Sequence, residues 1–195
     1  MSPAKTNWVT VWTASAQGAY PLGSAVAQPD LSRAIPQPEI GLINQSFRTP
    51  IKPAITASKF RLRISNVFGN KTLRLRDLSL SLHLGGGALV PGSCIEISDM
   101  DIEAGAMAWT QGVEIMADQH GLAIPATDRT IIFSGWVEGE SGPITWHAKA
   151  LATSYLSHPN TRVSKDNFSE LAFPFSTTSV FFLDAVDADL PNNCH

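Results

Sequence analysis

A strict alternation runs through the middle of this chain. Phe60, Leu62 and Ile64 interleave with Lys59, Arg61, Arg63 and Ser65. Successive side chains of a strand point to opposite faces, so this segment reads as a half-buried strand with one apolar and one charged face. A Gly69-Asn70 turn signal follows, and then a longer alternation through Leu73 and Leu75 and on through Leu78, Leu80, Leu82 and Leu84. The parity flips between the two leucine sets. A single regular strand cannot bury both sets on one face, so we expect a bulge or a break at Arg76-Asp77. Gly85-Gly86-Gly87 closes the run.

Further strand-like segments fall at 8–13, 43–49, 95–98, 107–110, 112–116, 130–137, 145–156 and 179–186. Turn signals separate most of them: Pro91-Gly92, Ala104-Gly105, Pro125 and the 139–143 stretch. Many short strands at near-regular spacing predict an all-β chain, an antiparallel β-sandwich of jelly-roll-like form. Two segments read as long loops, 17–41 with Pro21, Pro29, Pro36 and Pro38, and 157–178 with Pro159 and Pro174. Helix signals are few: Asn167 and Glu170 have capping-box spacing, but Pro174 leaves room for a turn or two at most. At 195 residues the chain predicts one domain over 1–187 with a tail at 188–195.

The formal net charge of −3 argues against a nucleic-acid partner, which calls for a basic face. No apolar run approaches 18 residues, so no membrane-spanning helix is expected. MSPAKTNWVT has no apolar signal-peptide core, which predicts a cytoplasmic location by default. Cys94 and Cys194 make no metal-binding spacing. Asp99, Asp101 and Glu103 resemble the start of a calcium loop, but Gly105 and Thr110 fall where that loop needs other residues. Acids alternating along an exposed strand account for them better, and neither metal nor cofactor is expected.

Nothing in the sequence assigns a catalytic residue. A hydrolytic serine needs a sharp turn and a base in reach. The G-x-S-x-G elbow is absent, and Gly139-Glu140-Ser141-Gly142-Pro143 reads as a turn. There is no G-D-S triplet. The positions three before the five histidines hold Leu80, Ala117, Ile144, Tyr155 and Asn192, so no aspartate stands at the D-x-x-H spacing. In ITWHAKALATSY, read as one strand, Ile144, Trp146, Ala148, Ala150 and Ala152 share a face, while His147 and Lys149 share the more polar one. His147 there reads as a hydrogen-bonded surface or interface histidine. Of five tryptophans, Trp8 and Trp12 would share a face of one strand, and core packing is the default for aromatics at such spacing. Sugar stacking is the alternative.

WVTVWTAS (8–15), NQSFR (44–48), FRLRISNVFG (60–69), LVPGS (89–93), GPITWHAKALATSY (142–155) and TTSVFFLDAVD (177–187) occur in an order that resembles one family. It is the N-terminal β domain of two-domain SGNH/GDSL hydrolases, the xylan-esterase-like and arylesterase-like acylhydrolases. The resemblance covers nearly the whole chain. In that family a short linker follows the last block and leads into a catalytic α/β domain with a G-D-S nucleophile and a D-x-x-H base. The resemblance implies that 188–195 corresponds to the linker and that this chain carries the accessory half. It also implies a catalytic SGNH domain as partner, and a secreted location in many relatives. A free-standing carbohydrate-binding module, with a glycan as partner, and an enzyme with an unrecognised site are the competing readings. If the accessory reading holds, Asn44, Arg48 and Asn66, with Trp146 and His147 behind them, are the candidates to line the interface between the domains. Arg48 would grip a carboxylate or backbone carbonyls through its fork. Asn66 is as readily a turn-holding residue.

Overall fold

The computed structural model describes residues 7–22, 31–115 and 130–190. Strands are the only regular elements among them. Two antiparallel sheets pack face to face as a β-sandwich. The smaller is built from β1 (Trp8–Thr13), β15 (Leu183–Asp189), β3 (Lys59–Ser65) and β8 (Met107–Trp109), in that order, with β9 (Val113–Glu114) also on β3. The larger runs β13 (Phe175–Thr177), β12 (Ser154–Leu156), β2 (Ile43–Ile51), β10 (Ile131–Glu140), β4 (Leu73–Gly85), β5 (Ala88–Leu89). Two more strands, β6 (Ile95–Glu96) and β7 (Met100–Ile102), add to β4. β11 (Trp146–His147) pairs with β14 (Val180–Phe181) as a separate ribbon.

The alternating residues meet between the sheets. Leu62, Ile64 and Val186 from the smaller sheet and Phe47, Leu75, Leu80, Phe133 and Val137 from the larger are fully buried. Phe47 lies edge-on to Phe133, with ring centroids 5.4 Å apart, and to Phe182 at 6.3 Å. Edge-to-face rings at this spacing add to the burial term.

The parity flip in β4 is a bulge. Against β10, Ser79 stands opposite Ser134 but Arg76 opposite Trp136, and Asp77 takes a left-handed φ of 52°. The extra residue turns both leucine sets inward, and all of Leu73, Leu75, Leu78 and Leu80 are fully buried. A second bulge, which the sequence does not announce, corrects the reading of the first strand. Thr10 pairs with Asp187 and Trp12 with Val186, leaving Val11 as the extra residue of β1. Trp8 and Trp12 share a strand but not a face: Trp12 packs on the core, and Trp8 lies outside with Arg61 over its ring.

Two predicted strands divide. The 145–156 segment holds β11 and β12 in different sheets, and between them 148–153 swings out far enough to leave Leu151 wholly exposed. The alanine face expected there therefore does not form. The 179–186 run breaks at Phe182, whose φ of 63° redirects the chain from β14 into β15. β15 then continues to Asp189, two residues into the expected tail. Within the loop at 157–178 lies the short strand β13, and 167–173 forms turns rather than a helix. The Asn167 Oδ1 accepts a bond from the Ser169 N–H at 2.9 Å. The 23–30 part of the other long loop, Pro125, Cys194 and the end of the tail lie outside the described residues.

Candidate functional site

Arg48 projects from β2 on the side away from the sandwich core and is only 1% exposed. Residues 157–173 cover it. One Nη1 donates to the carbonyls of Gly87 at 2.6 Å and Ser169 at 2.9 Å, and Nη2 donates to that of Asn167. Phe173 stacks on the guanidinium, 4.3 Å from ring centroid to Cζ. No carboxylate bonds to it among the described residues. A buried cation held only by neutral carbonyls loses hydration without gaining a counter-charge, and burial pushes the Arg48 guanidinium down to about 10. Around it, Arg162 of the loop grips Asp77 with two bonds, at 2.6 and 2.9 Å, Lys165 reaches Glu96 at 2.7 Å, and the Val163 N–H donates to Ser46 Oγ. The loop is thus clamped to the sheet from its own carbonyls and its own cations.

The other candidates do not join Arg48. Asn66 is fully buried in the turn after β3. Its Nδ2 donates to the carbonyls of Lys71 and Ile102, each at 2.9 Å, so its side chain holds the turn. Gly69 is required beside it, because a Cβ there would lie 1.9 Å from Asn66 Oδ1. Asn44, at φ 43°, accepts from the Gly139 N–H at 2.8 Å and fixes the start of β2 against the bulged end of β10. Trp146 is core, 2% exposed and edge-on to Tyr20 at 4.9 Å. His147 lies half-buried with Nδ1 2.8 Å from the Ser15 carbonyl oxygen and Nε2 3.0 Å from that of Lys149.

Several further polar and titratable groups among the described residues have ordinary structural partners. His83 Nε2 lies 2.8 Å from the Gly86 carbonyl, and His158 stacks edge-on against Phe175. Ser141 Oγ is buried, accepting from the Leu42 N–H and donating to the Gly142 carbonyl, which is the turn its sequence suggests. Asp101 and Asp99 flank Arg76, and Glu103 accepts from Thr72 Oγ1. Two of the three acids thus share one arginine, and the third serves a separate contact.

Two surfaces stand out instead. At one end of the larger sheet, Leu84, Leu151, Phe168 and Leu171 are all exposed. They gather around the β4–β5 hairpin: the Leu89 N–H donates to the Phe168 carbonyl, and the Gly87 N–H donates to Glu170, next to Leu171. Two shallow clefts flank this hairpin. One, of about 330 Å³, is lined by Leu89, Pro91, Cys94, Lys165 and Phe168. The other, of about 280 Å³, is lined by Pro50, Lys52, His83, Leu151 and Tyr155. Burial and Glu170 raise the Tyr155 hydroxyl above its ordinary range.

The second surface is the outer face of the smaller sheet. Arg61 lies over both Trp8 and Trp109, 4.7 and 4.4 Å from the ring centroids, and bonds Asp187 through Nε and Nη2 at 3.1 and 2.8 Å. Lys59 with Asp189 and Arg63 with Asp184 repeat the pairing on either side. A column of aspartates on β15 therefore zips against a column of bases on β3, with Trp109 36% exposed at its flank. Core packing, the default for these tryptophans, holds for Trp12 and Trp146 but not for Trp8 and Trp109. The alternation at 59–65 marks this face as charged; nothing in the sequence marks the apolar end, because its four residues come from three separate segments. No protein-family model matches the chain, and no curated protein matches it.

Proposed function

We propose that this chain is a non-catalytic accessory β domain that packs against an SGNH/GDSL-type catalytic domain and shapes its cleft. The observation that carries this reading is the cluster of Leu84, Leu151, Phe168 and Leu171 at one end of the larger sheet. Large exposed apolar side chains gathered around clefts mark interaction surfaces, whereas scattered ones need no explanation. The six sequence blocks and the absence of a serine–histidine pair from the bonds of His83, His147 and His158 are consistent with it. The test is binding in trans. The chain is titrated into the isolated catalytic domain of a two-domain SGNH hydrolase and followed by calorimetry and by esterase turnover. Saturable binding that Leu151→Glu with Leu171→Glu abolishes is expected. No binding, or binding the double variant leaves intact, would sink the proposal.

A second reading rests on Trp8 and Trp109, which lie on one uncovered sheet face where aromatic rings can meet a sugar. It predicts quenching of tryptophan emission by xylan that Trp109→Ala removes. Unchanged emission across the titration eliminates it.

A further inference from the structure

Arg48 and Ser134 stand directly opposite each other on β2 and β10. Paired residues of an antiparallel ladder put their side chains on the same face, a few ångströms apart. Both also line one cavity of about 10 Å³ beneath the loop, together with Ser46, Asp77, Lys165 and Phe173. Arg48 Nε and Ser134 Oγ are buried and have no hydrogen-bond partner. Ser79, the register partner of Ser134 on β4, carries another buried hydroxyl in the same condition. Nearly all buried polar groups are satisfied, so two such atoms at one cavity need an account.

The charges around the cavity supply it. Arg162 is matched by Asp77 and Lys165 by Glu96, while Arg48 is bonded only by carbonyls. Arg48 Nε can only donate, and the Ser134 hydroxyl can donate. Both are therefore free to turn to one acceptor that carries no hydrogen of its own. We propose that the cavity between Arg48 and Ser134 is a binding site for a single small monovalent anion, a halide, which serves as the counter-ion of Arg48. Room for one small guest is what a cavity of this size gives. A guest there sits between the sheet and the loop that Arg48 holds, so anion binding and loop docking stabilise each other. The inference does not depend on the accessory-domain reading.

The experiment uses the whole chain. Thermal unfolding is followed at constant pH and ionic strength while sodium gluconate, too large for the cavity, is exchanged for sodium chloride. The midpoint is expected to rise, by about 3–6 °C at ten times the dissociation constant, and to go on rising with the logarithm of the chloride concentration above it. Ser134→Ala removes one donor and leaves Arg48 in place. It is expected to weaken the apparent chloride affinity about tenfold, the weight of one hydrogen bond to a charged group. Crystals grown in bromide are expected to show an anomalous peak within hydrogen-bond reach of Arg48 Nε and Ser134 Oγ. A midpoint indifferent to chloride, an unchanged response in Ser134→Ala, or a water in place of the bromide would each overturn the proposal.

Discussion

Arg48 on β2 and Arg61 on β3 both project from the outer face of a sheet, and both lie over aromatic rings. Arg61 keeps 28% of its side chain in solvent and is bonded twice by Asp187. Arg48 is sealed beneath residues 157–173 and has three loop carbonyls where Arg61 has a carboxylate. The difference is one of what each guanidinium leaves behind. Removing Arg61 leaves the Asp187 carboxylate with a second donor, the Thr10 hydroxyl at 2.8 Å. Removing Arg48 leaves the carbonyls of Gly87, Asn167 and Ser169 without this donor, that of Gly87 buried. One sheet face is closed by its own side chains and the other by a segment of chain, which Arg48 holds from beneath while Arg162, Lys165 and Val163 hold it from above.

Deleting each arginine in turn separates the two faces. Arg48→Ala is expected to lower stability by about 3–5 kcal/mol, from the unpaired carbonyls together with the void under Phe173. Arg48→Lys should recover less than half, because an ammonium cannot reproduce the fork. Denaturant unfolding measures both, and a loss near 1 kcal/mol for Arg48→Ala would put the two arginines on one footing. For Arg61→Ala the expected loss is about 1 kcal/mol, shrinking as salt is added. A loss that ignores salt would assign Arg61 to packing on Trp8 and Trp109 instead of to charge.

Acid acts on the loop through Asp77. The two bonds from Arg162 hold the Asp77 carboxyl below its ordinary pKa of 3.8. A carboxylate with a lowered folded value contributes stability in full above its unfolded pKa and loses it as pH falls through the folded one. Proteolysis within 157–173, followed with an acid-active protease, should therefore accelerate only below about pH 4, and Asp77→Asn should cut readily at all pH values. Acceleration already at pH 5–6 would mean another group holds the loop. The smallest effect belongs to Lys71 and Glu140, both about half exposed on the surface. Lys71→Ala should shift stability by less than about 0.5 kcal/mol, which sets the floor against which Arg61 is judged.

The sandwich was legible because its strands alternate. The bulge at Asp77 was legible for the same reason, since a parity flip in a leucine ladder has few other solutions. The bulge at Val11 was not, because WVTVWT is apolar on both parities and a one-residue slip leaves no trace in it. The break of 145–156 into two strands was hidden by small alanines that suit a strand and a crossing loop alike. The role of Arg48 was half legible. Its fork does hold carbonyls, as the residue type suggests, but they belong to its own chain. Ser46, Arg48 and Pro50 share the parity that reads as a solvent face, and the covering segment lies more than a hundred residues away. The signal available was Phe168, Phe173 and Phe175 in one long loop, which need something to lie on. The apolar end was invisible for the reason that it is assembled only by folding.

The bulge at Val11 has a consequence for how these molecules behave in a crowd. Among the described residues β1 is the outermost strand of its sheet, and the outward-facing backbone groups of such an edge are a template on which another chain could add. The extra residue spoils that template: it bends the strand, and the Val11 carbonyl is already taken by the Ala54 N–H at 2.9 Å. The larger sheet ends on strands of three and two residues, β13 and β5, too short to recruit a neighbour. The inserted valine thereby blunts this edge against pairing with a neighbour, and because Val11 is also buried core, its deletion is expected to cost packing as well as edge protection.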